Sequence, residues 1–308
     1  MRPRDKKRAK DLEERLIAHA ANVKSLPGIE DSAARNAFVE QLVESIRRTE
    51  FLASLSHRPN SPRRAEPGSA IFDPLRAAVL HRDAGRIDEA MWLMFLAVTF
   101  GRHRRHGWAL SRALYGRLGK SPLWDWEHAA SHPEKVRTWV EKHAEKLHGL
   151  GWFGNHRKRE ALSGANGAGA VIESYIHFIN SNGGHEHLFA KARAETSDDP
   201  RRTFDILYQQ LSSVRRFGRT AKFDYLTFMA NLRLAPVEPG KLYLEGATGP
   251  LKGANLVFGG SVQSSIPRAT LEKQAADLAK SLSIPMNVLE DALCNWQKTP
   301  DKFVPYRG

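Results

Sequence analysis

Apolar residues recur along most of the chain at three- and four-residue spacing, the period of helices that bury one face. Over residues 31–55, "DSAARNAFVEQLVESIRRTEFLASL", Phe38, Leu42, Val43, Ile46 and Phe51 fall on one stripe, and Asp31 stands where an N-cap belongs. The same spacing predicts helices near 70–84, 87–100, 107–118, 133–148, 170–181, 201–215, 220–233, 267–282 and 285–297. Only "GKLYLEG" (240–246) alternates with period two, which predicts a short hairpin. "SPRRAEPGS" (61–69) interrupts the pattern with Pro and Gly and reads as a linker. "LSGANGAGA" (162–170) reads as a flexible Gly/Ala segment, and no internal repeat is visible. The expectation is an all-α, two-lobed protein with few or no strands. It has an N-terminal helical segment over 1–60, and a larger helical region over 70–308.

Composition adds a partner class. The 308 residues allow two domains or one large two-lobed unit, and 41% apolar content is enough for a real core. A net charge of +13 favours a polyanion: nucleic acid first, an anionic membrane surface second, with a merely soluble basic protein as the plain alternative. No run of about 18 apolar residues occurs, so no membrane span is expected. The opening "MRPRDKKRAKDLEERL" is basic without the apolar stretch of a signal peptide. A cytoplasmic protein is expected, in keeping with its single cysteine, Cys294. One cysteine excludes an internal disulfide, a Cys-rich zinc site and a four-cysteine iron–sulfur cluster. No cofactor is expected.

"RRFGRTAKFDYL" (215–226) sets three arginines and a glycine between two predicted helices. A helix ending at Arg215 or Arg216, a turn at Gly218 and a new helix from Thr220 would aim backbone amides outward. Arg215, Arg216 and Arg219 would strengthen that anion site. An ordinary structural turn is the alternative. "FGRTA" is similar to the hairpin of helix-hairpin-helix DNA glycosylases, whose pattern reads Gly-x-Gly-x-x-Ala. Here Arg216 replaces the first glycine, and one residue is missing between Gly218 and Ala221.

In that superfamily the catalytic carboxylate lies about twenty residues beyond the hairpin glycine. Glu238, in "APVEPG", falls twenty positions after Gly218, although the superfamily has aspartate there. Asp224 on the second hairpin helix competes with it, and Glu245 in "YLEGATGP" is third. Cleavage of an N-glycosidic bond builds positive charge on the deoxyribose. A carboxylate stabilises that charge and can orient or deprotonate the attacking water. Thr220 stands where bifunctional members carry a Schiff-base lysine, which points to hydrolysis without strand cleavage; Lys222 is two residues later.

Other polar clusters offer further contacts. In "GWFGNHRKRE" (151–160), Asn155, His156, Arg157 and Lys158 follow an aromatic turn that suits phosphate contact, base-edge contact or stacking. "GRHRRHGW" (101–108) is a basic patch, and its His103 and His106 lack a nearby acid or cysteine that would favour a metal. His185 and His187 in "GGHEHLF" read as a helix-start loop. Near the end of the sequence Trp296 is expected to pack, while Asn295, Gln297 and Lys298 either line a pocket or form a plain helix terminus. "GATGPLKGANLVFGG" (246–260) has no Walker A pattern, and a closely packed helix is the expected use of its glycines.

Five segments together resemble the alpha-glutamyl/putrescinyl thymine pyrophosphorylase family, clade 3. They are "FGNHRKRE", "FGRTAKFDYLTFMANL", "PVEPGKLYLEGATGPLKGANLVFGG", "LCNWQKTPDKFVPYRG" and "DEAMWLMFLAVTFGRHRRHGWALSRALYGRLG". The resemblance covers roughly residues 35–308. It implies kinship with DNA glycosylases and a tie to hypermodified bases in phage DNA. The chain is also similar to the Brig-type antiphage DNA glycosylases, which remove glucosylated 5-hydroxymethylcytosine and leave abasic sites. The implied activity is excision of a bulky modified base, flipped from duplex DNA into a pocket between two lobes. Arg215, Arg216, Gly218, Arg219 and Thr220, with Arg157 and Lys158, would hold the DNA. Glu238 or Asp224 would serve the sugar cation, and Asn155, His156, Asn295, Gln297 and Lys298 would read the base. Two alternatives remain open: a transferase that elaborates activated 5-hydroxymethyluracil, as the family name implies, and a non-catalytic module that recognises modified DNA.

Overall fold

The computed structural model describes residues 3–154 and 161–305. Among them the regular structure is helical: α1 (Pro3–Asn22), α2 (Ser32–Leu55), α3 (Pro74–Asp83), α4 (Ile87–Phe100), α5 (Ala109–Tyr115), α6 (Trp126–Ser131), α7 (Pro133–Lys142), α8 (Ala144–Leu150), α9 (Ala168–Ser181), α10 (His185–Glu195), α11 (Pro200–Gln210), α12 (Arg219–Asn231), α13 (Gly249–Gly259), α14 (Arg268–Leu282) and α15 (Met286–Trp296). No strand occurs among the described residues, and a lone bridge joins His103 to Gly107. The all-α expectation holds. Asp31 caps α2 as its position predicts, its Oδ2 accepting from the Ala33 and Ala34 amides at 2.8 and 3.0 Å.

The expected hairpin at 240–246 is not a hairpin. The Leu242 and Leu244 amides donate at 2.6 and 2.7 Å to the two carboxylate oxygens of Glu272 on α14. Tyr243 between them adopts a left-handed φ of 55°. Both leucines are buried, so the alternation records burial of every second side chain, with a carboxylate in place of a partner strand. Residues 162–170 form a hydrogen-bonded turn in which Gly167 donates to Gly164 and Ala168 to Ala161.

Contact density divides the chain into two compact units. One comprises Met1–Phe51 with Pro239–Tyr306, and the other Leu52–Glu238. These boundaries differ from a division near residues 60–70, because residues from both ends of the sequence build one core. In the first unit Leu16, Phe38 and Leu42 pack with Leu278, Leu289 and Trp296. The α13 helix approaches α15 closely: a Cβ on Gly253 would lie 2.3 Å from the Leu293 carbonyl oxygen, so the glycine-rich stretch serves packing.

The second unit is organised around α4. Its residues Ala90–Phe100 are all buried, as a helix apolar on every side requires. It packs against α3, α5, α6, α10 and α12. Asp88 and Glu89 open it, and Gly101, at φ 66°, ends it. The second unit therefore carries the 215–226 stretch on a helix seated directly on its most buried element.

Candidate nucleic-acid interface

The stretch 215–226 forms a turn between two helices. After α11 a short 3₁₀ segment (Leu211–Ser213) leads into the turn, and α12 begins at Arg219. Two backbone positions define it. Arg216 has φ 55°, the left-handed region that side chains with a Cβ rarely occupy. This is the position at which the glycosylase hairpin pattern carries its first glycine. The turn thus demands the glycine conformation, and arginine adopts it at a cost of about 1 kcal/mol. Gly218, by contrast, has an ordinary φ of −73°, and a Cβ built on it would meet nothing within 4 Å. Neither strain nor crowding within the chain explains that glycine.

Gly218 is the N-cap of α12, and no side chain caps this end. The first amides of a helix lack acceptors within it, and the helix dipole is positive there. Arg215 and Arg216 are exposed beside it, and Arg219 is half-buried. Thr220 follows Arg219 in the first turn. The Arg215 amide donates to Ser174 Oγ at 2.9 Å and its guanidinium to the Ala165 carbonyl at 3.2 Å, which fixes the turn against α9. The Arg219 guanidinium lies 4.6 Å from the Phe223 ring. Lys222 turns back toward α11: its Nζ donates to Ser212 Oγ at 2.7 Å and lies 4.1 Å from the Tyr208 ring, where burial lowers its pKa.

Beneath the turn, Thr99, Phe153, Ala168, Val171, Arg216, Phe217 and Ala221 surround a hollow of about 20 Å³. That holds about one water molecule and no base, so the apolar lining seats the turn.

A buried polar chain ties α12 to its neighbours. Tyr225 and Tyr175 place their hydroxyl oxygens 2.7 Å apart. The Tyr175 hydroxyl lies 2.8 Å from His185 Nε2, and His185 Nδ1 lies 2.7 Å from Asp88 Oδ1. The His185 amide also donates to Asp88 Oδ1, at 3.0 Å. The His185 hydrogen bond holds the Asp88 carboxyl below its ordinary pKa, and burial lowers that of His185. An ionised Asp88 only accepts, so Nδ1 of the neutral ring donates to it. Nε2 then accepts from Tyr175, and Tyr175 accepts from Tyr225. The Tyr175 ring stacks on Phe95 at 3.6 Å, so α4, α9, α10 and α12 meet at one point.

Placement of the candidate acids differs sharply. Asp224 is half-buried on α12, three residues after Ala221 of the hollow. Glu238 lies beyond α12 with its side chain 42% exposed, and its Oε1 accepts from Arg201 at 2.9 Å. Glu245 pairs with Arg268 at 3.0 Å on the surface. Sequence reasoning missed Glu173, which lines an open groove with Ser174, His177 and Arg215, and pairs with Arg137 at 2.9 Å. Its signal was the Glu173–His177 pair at i,i+4 on a mostly apolar helix.

Asn155, His156, Arg157 and Lys158 lie outside the described residues. Asn295, Gln297 and Lys298 belong to the first unit, whereas the α11–α12 turn belongs to the second. Asn295 Nδ2 donates to the Asp291 carbonyl at 2.9 Å, Gln297 Nε2 to the Cys294 carbonyl at 3.2 Å, and Lys298 Nζ to Asn295 Oδ1 at 2.9 Å. These bonds close the end of α15. Trp296 is buried against Phe38, with ring centroids 4.9 Å apart, as expected. His103 Nδ1 faces the amides of Arg105 and His106 at 3.3 Å, bonds internal to its loop. His187 packs on Gly183, while His185 belongs to the buried chain. No group of three or more His, Cys, Asp or Glu side chains suited to a metal occurs among the described residues. No helix among them is long and apolar enough to cross a membrane.

Residues 33–308 match the model of the alpha-glutamyl/putrescinyl thymine pyrophosphorylase family, clade 3. The chain belongs to that family. The clade 3 match runs through both compact units and includes the whole α11–α12 turn. The family is named for an enzyme of thymine modification, which places the chain among enzymes tied to DNA-base modification. No curated protein and no solved structure matches it.

Proposed function

We propose that this clade 3 protein grips duplex DNA through the α11–α12 turn and excises a bulky hypermodified base by hydrolysis. The observation that carries the reading is the N-terminus of α12: uncapped by any side chain, flanked by Arg215, Arg216 and Arg219, and headed by a glycine whose missing Cβ faces open space. A phosphodiester fits that description, since it accepts backbone N–H bonds and approaches closely only where no side chain intervenes.

Asp224 is the acid we assign to the sugar cation. It is half-buried on the helix whose N-terminus holds the backbone. Water attacks C1′ as the C–N bond breaks, the base departs with a proton, and an abasic deoxyribose remains. Thr220 has no amine for an imine, and Lys222 is directed to Ser212 and Tyr208. The strand therefore stays intact after base loss. Phage DNA carrying glucosylated 5-hydroxymethylcytosine is the substrate the family resemblance suggests.

The family's name supports a second reading, transfer of an amine onto activated 5-hydroxymethyluracil in DNA. One set of incubations separates the two. Duplexes bearing glucosylated 5-hydroxymethylcytosine, activated 5-hydroxymethyluracil with an added amine, or no modification are treated, and the DNA and free bases are weighed by mass spectrometry. Free modified base with alkali-labile strands supports hydrolysis. A base that gains the mass of the amine supports transfer, and no change in any duplex contradicts both.

A further inference from the structure

A second surface feature of the Leu52–Glu238 unit carries the same polarity as the turn. A cleft of about 560 Å³ runs beside α5 and α8, and its lining includes Arg112, Lys120, Lys146, Leu118, Leu123 and Leu150. Three cations and no acid line it. Among its apolar residues Leu150 is exposed and Leu118 and Leu123 are half-buried.

At the end of the cleft, α8 runs into the turn "GWFG" (151–154), and Trp152 is 65% exposed, the most exposed of the large hydrophobic residues described. The turn itself is firmly seated. A Cβ on Gly151 would lie 3.0 Å from the Cβ of Ala109, a cleft residue, and 3.3 Å from that of His106. A Cβ on Gly154 would lie 2.8 Å from the Gly101 carbonyl carbon, and the Gly154 amide donates to the Phe100 carbonyl at 2.8 Å. Phe153, between them, is buried against Phe100 and, with Phe217, lines the hollow beneath the α11–α12 turn. Four residues therefore connect the cleft to that turn, and Trp152 is the one directed to solvent. Arg102, Arg104, Arg105 and His106, all exposed, belong to the loop on which this turn rests.

We propose that the cleft takes an unpaired strand of DNA and that Trp152 stacks on one of its bases. The proposal rests on the reading of the α11–α12 turn as a DNA clamp. Charge selects the occupant: cations without acids call for a polyanion, and an exposed indole beside them calls for a flat aromatic partner, a pairing found in nucleic-acid strands. Stacking needs an unstacked base, which fixes the class as single-stranded or locally opened DNA.

Binding of the full chain to a fluorescent single-stranded oligonucleotide tests this. Trp152→Ala should weaken binding about ten- to a hundred-fold with an unchanged salt slope, and Trp152→Tyr should restore most of the loss. Lys120→Ala combined with Lys146→Ala should instead flatten the slope by up to about 1.4, two contacts at about 0.7 each. Thermal melting should be unmoved by Trp152→Ala, because the side chain is exposed. If Trp152→Ala binds as the parent does while the arginine variants of the α11–α12 turn lose affinity, the cleft assignment falls and the clamp stands. If the parent shows no salt-dependent DNA binding, both fall. Loss of self-association in Trp152→Ala with DNA affinity intact would make Trp152 a protein contact and also overturn the proposal.

Discussion

The hydroxyl oxygens of Tyr225 and Tyr175 lie 2.7 Å apart with no solvent at either ring. Tyr225 stands on α12, the helix whose N-terminus is the proposed DNA clamp, and Tyr175 reaches through His185 to Asp88. The polar chain thus fixes α12 to α4, α9 and α10. Tyr225→Phe deletes one donor and leaves the Tyr175 oxygen without it. The expected loss is about 1–2 kcal/mol, read by urea unfolding. Unchanged stability would remove this chain from the account of how α12 is held.

The same chain sets a pH dependence. The pKa values of His185 and Asp88 are lower in the folded protein than in the unfolded chain. The unfolded chain therefore binds protons first, and stability is lost as pH falls below the ordinary histidine value of 6.5. Glu89 acts in the opposite sense. Burial raises its pKa from 4.5 to about 7, even with the Trp126 amide donating to it, so its contribution is lost as pH rises toward 7. That rise corresponds to about 3 kcal/mol. Melting curves of Glu89→Gln against the parent should therefore diverge in favour of the variant between pH 4.5 and 7. A difference that stays constant across that window would contradict the buried-carboxyl assignment.

Gly218 separates binding from folding. Its φ of −73° suits alanine, and an added Cβ meets no protein atom within 4 Å. Gly218→Ala should change stability by less than about 1 kcal/mol, because the entropy removed from the unfolded chain opposes the preference of a helix N-cap for glycine over alanine. Its DNA affinity should drop at least about ten-fold, because the methyl group occupies the space a phosphate would use. Equal affinity in an equally stable variant would show that nothing docks closely there.

Helices were the most legible part of the sequence, because each buries a face and the spacing records it. The stretch at 87–100 was placed to the residue. Less legible were features made by distant residues. Leu242 and Leu244 alternate like a strand because Glu272, some thirty positions on, replaces the missing ladder. The first unit unites the two ends of the sequence through Phe38 and Trp296, a pairing no local pattern announces. At the α11–α12 turn, the arginine that broke the glycine pattern adopts the conformation that pattern requires, which the letters alone could not reveal. The acid ranked first by spacing, Glu238, is engaged by Arg201, thirty-seven positions earlier in the chain.

The acids can be told apart by activity. Asp224→Asn should reduce base release about 10²- to 10³-fold with DNA affinity retained, the loss typical of removing one electrostatic group at a developing charge. Glu238→Gln breaks an exposed ion pair worth about 0–1 kcal/mol and should stay within a few-fold of the parent. The reverse ranking, measured by single-turnover release of free base, would return the catalytic role to Glu238.

The central claim is that the N-terminus of α12 and its arginines hold the DNA backbone, and the salt dependence of duplex binding tests it most directly. Affinity of the parent and of the triple alanine variant at Arg215, Arg216 and Arg219 is measured across a range of salt concentrations. Each phosphate contact contributes about 0.9 to the slope of log affinity against log salt, so the variant should bind more weakly and its slope should be shallower by up to about 2.7. A variant with the parent's slope and affinity would contradict the account.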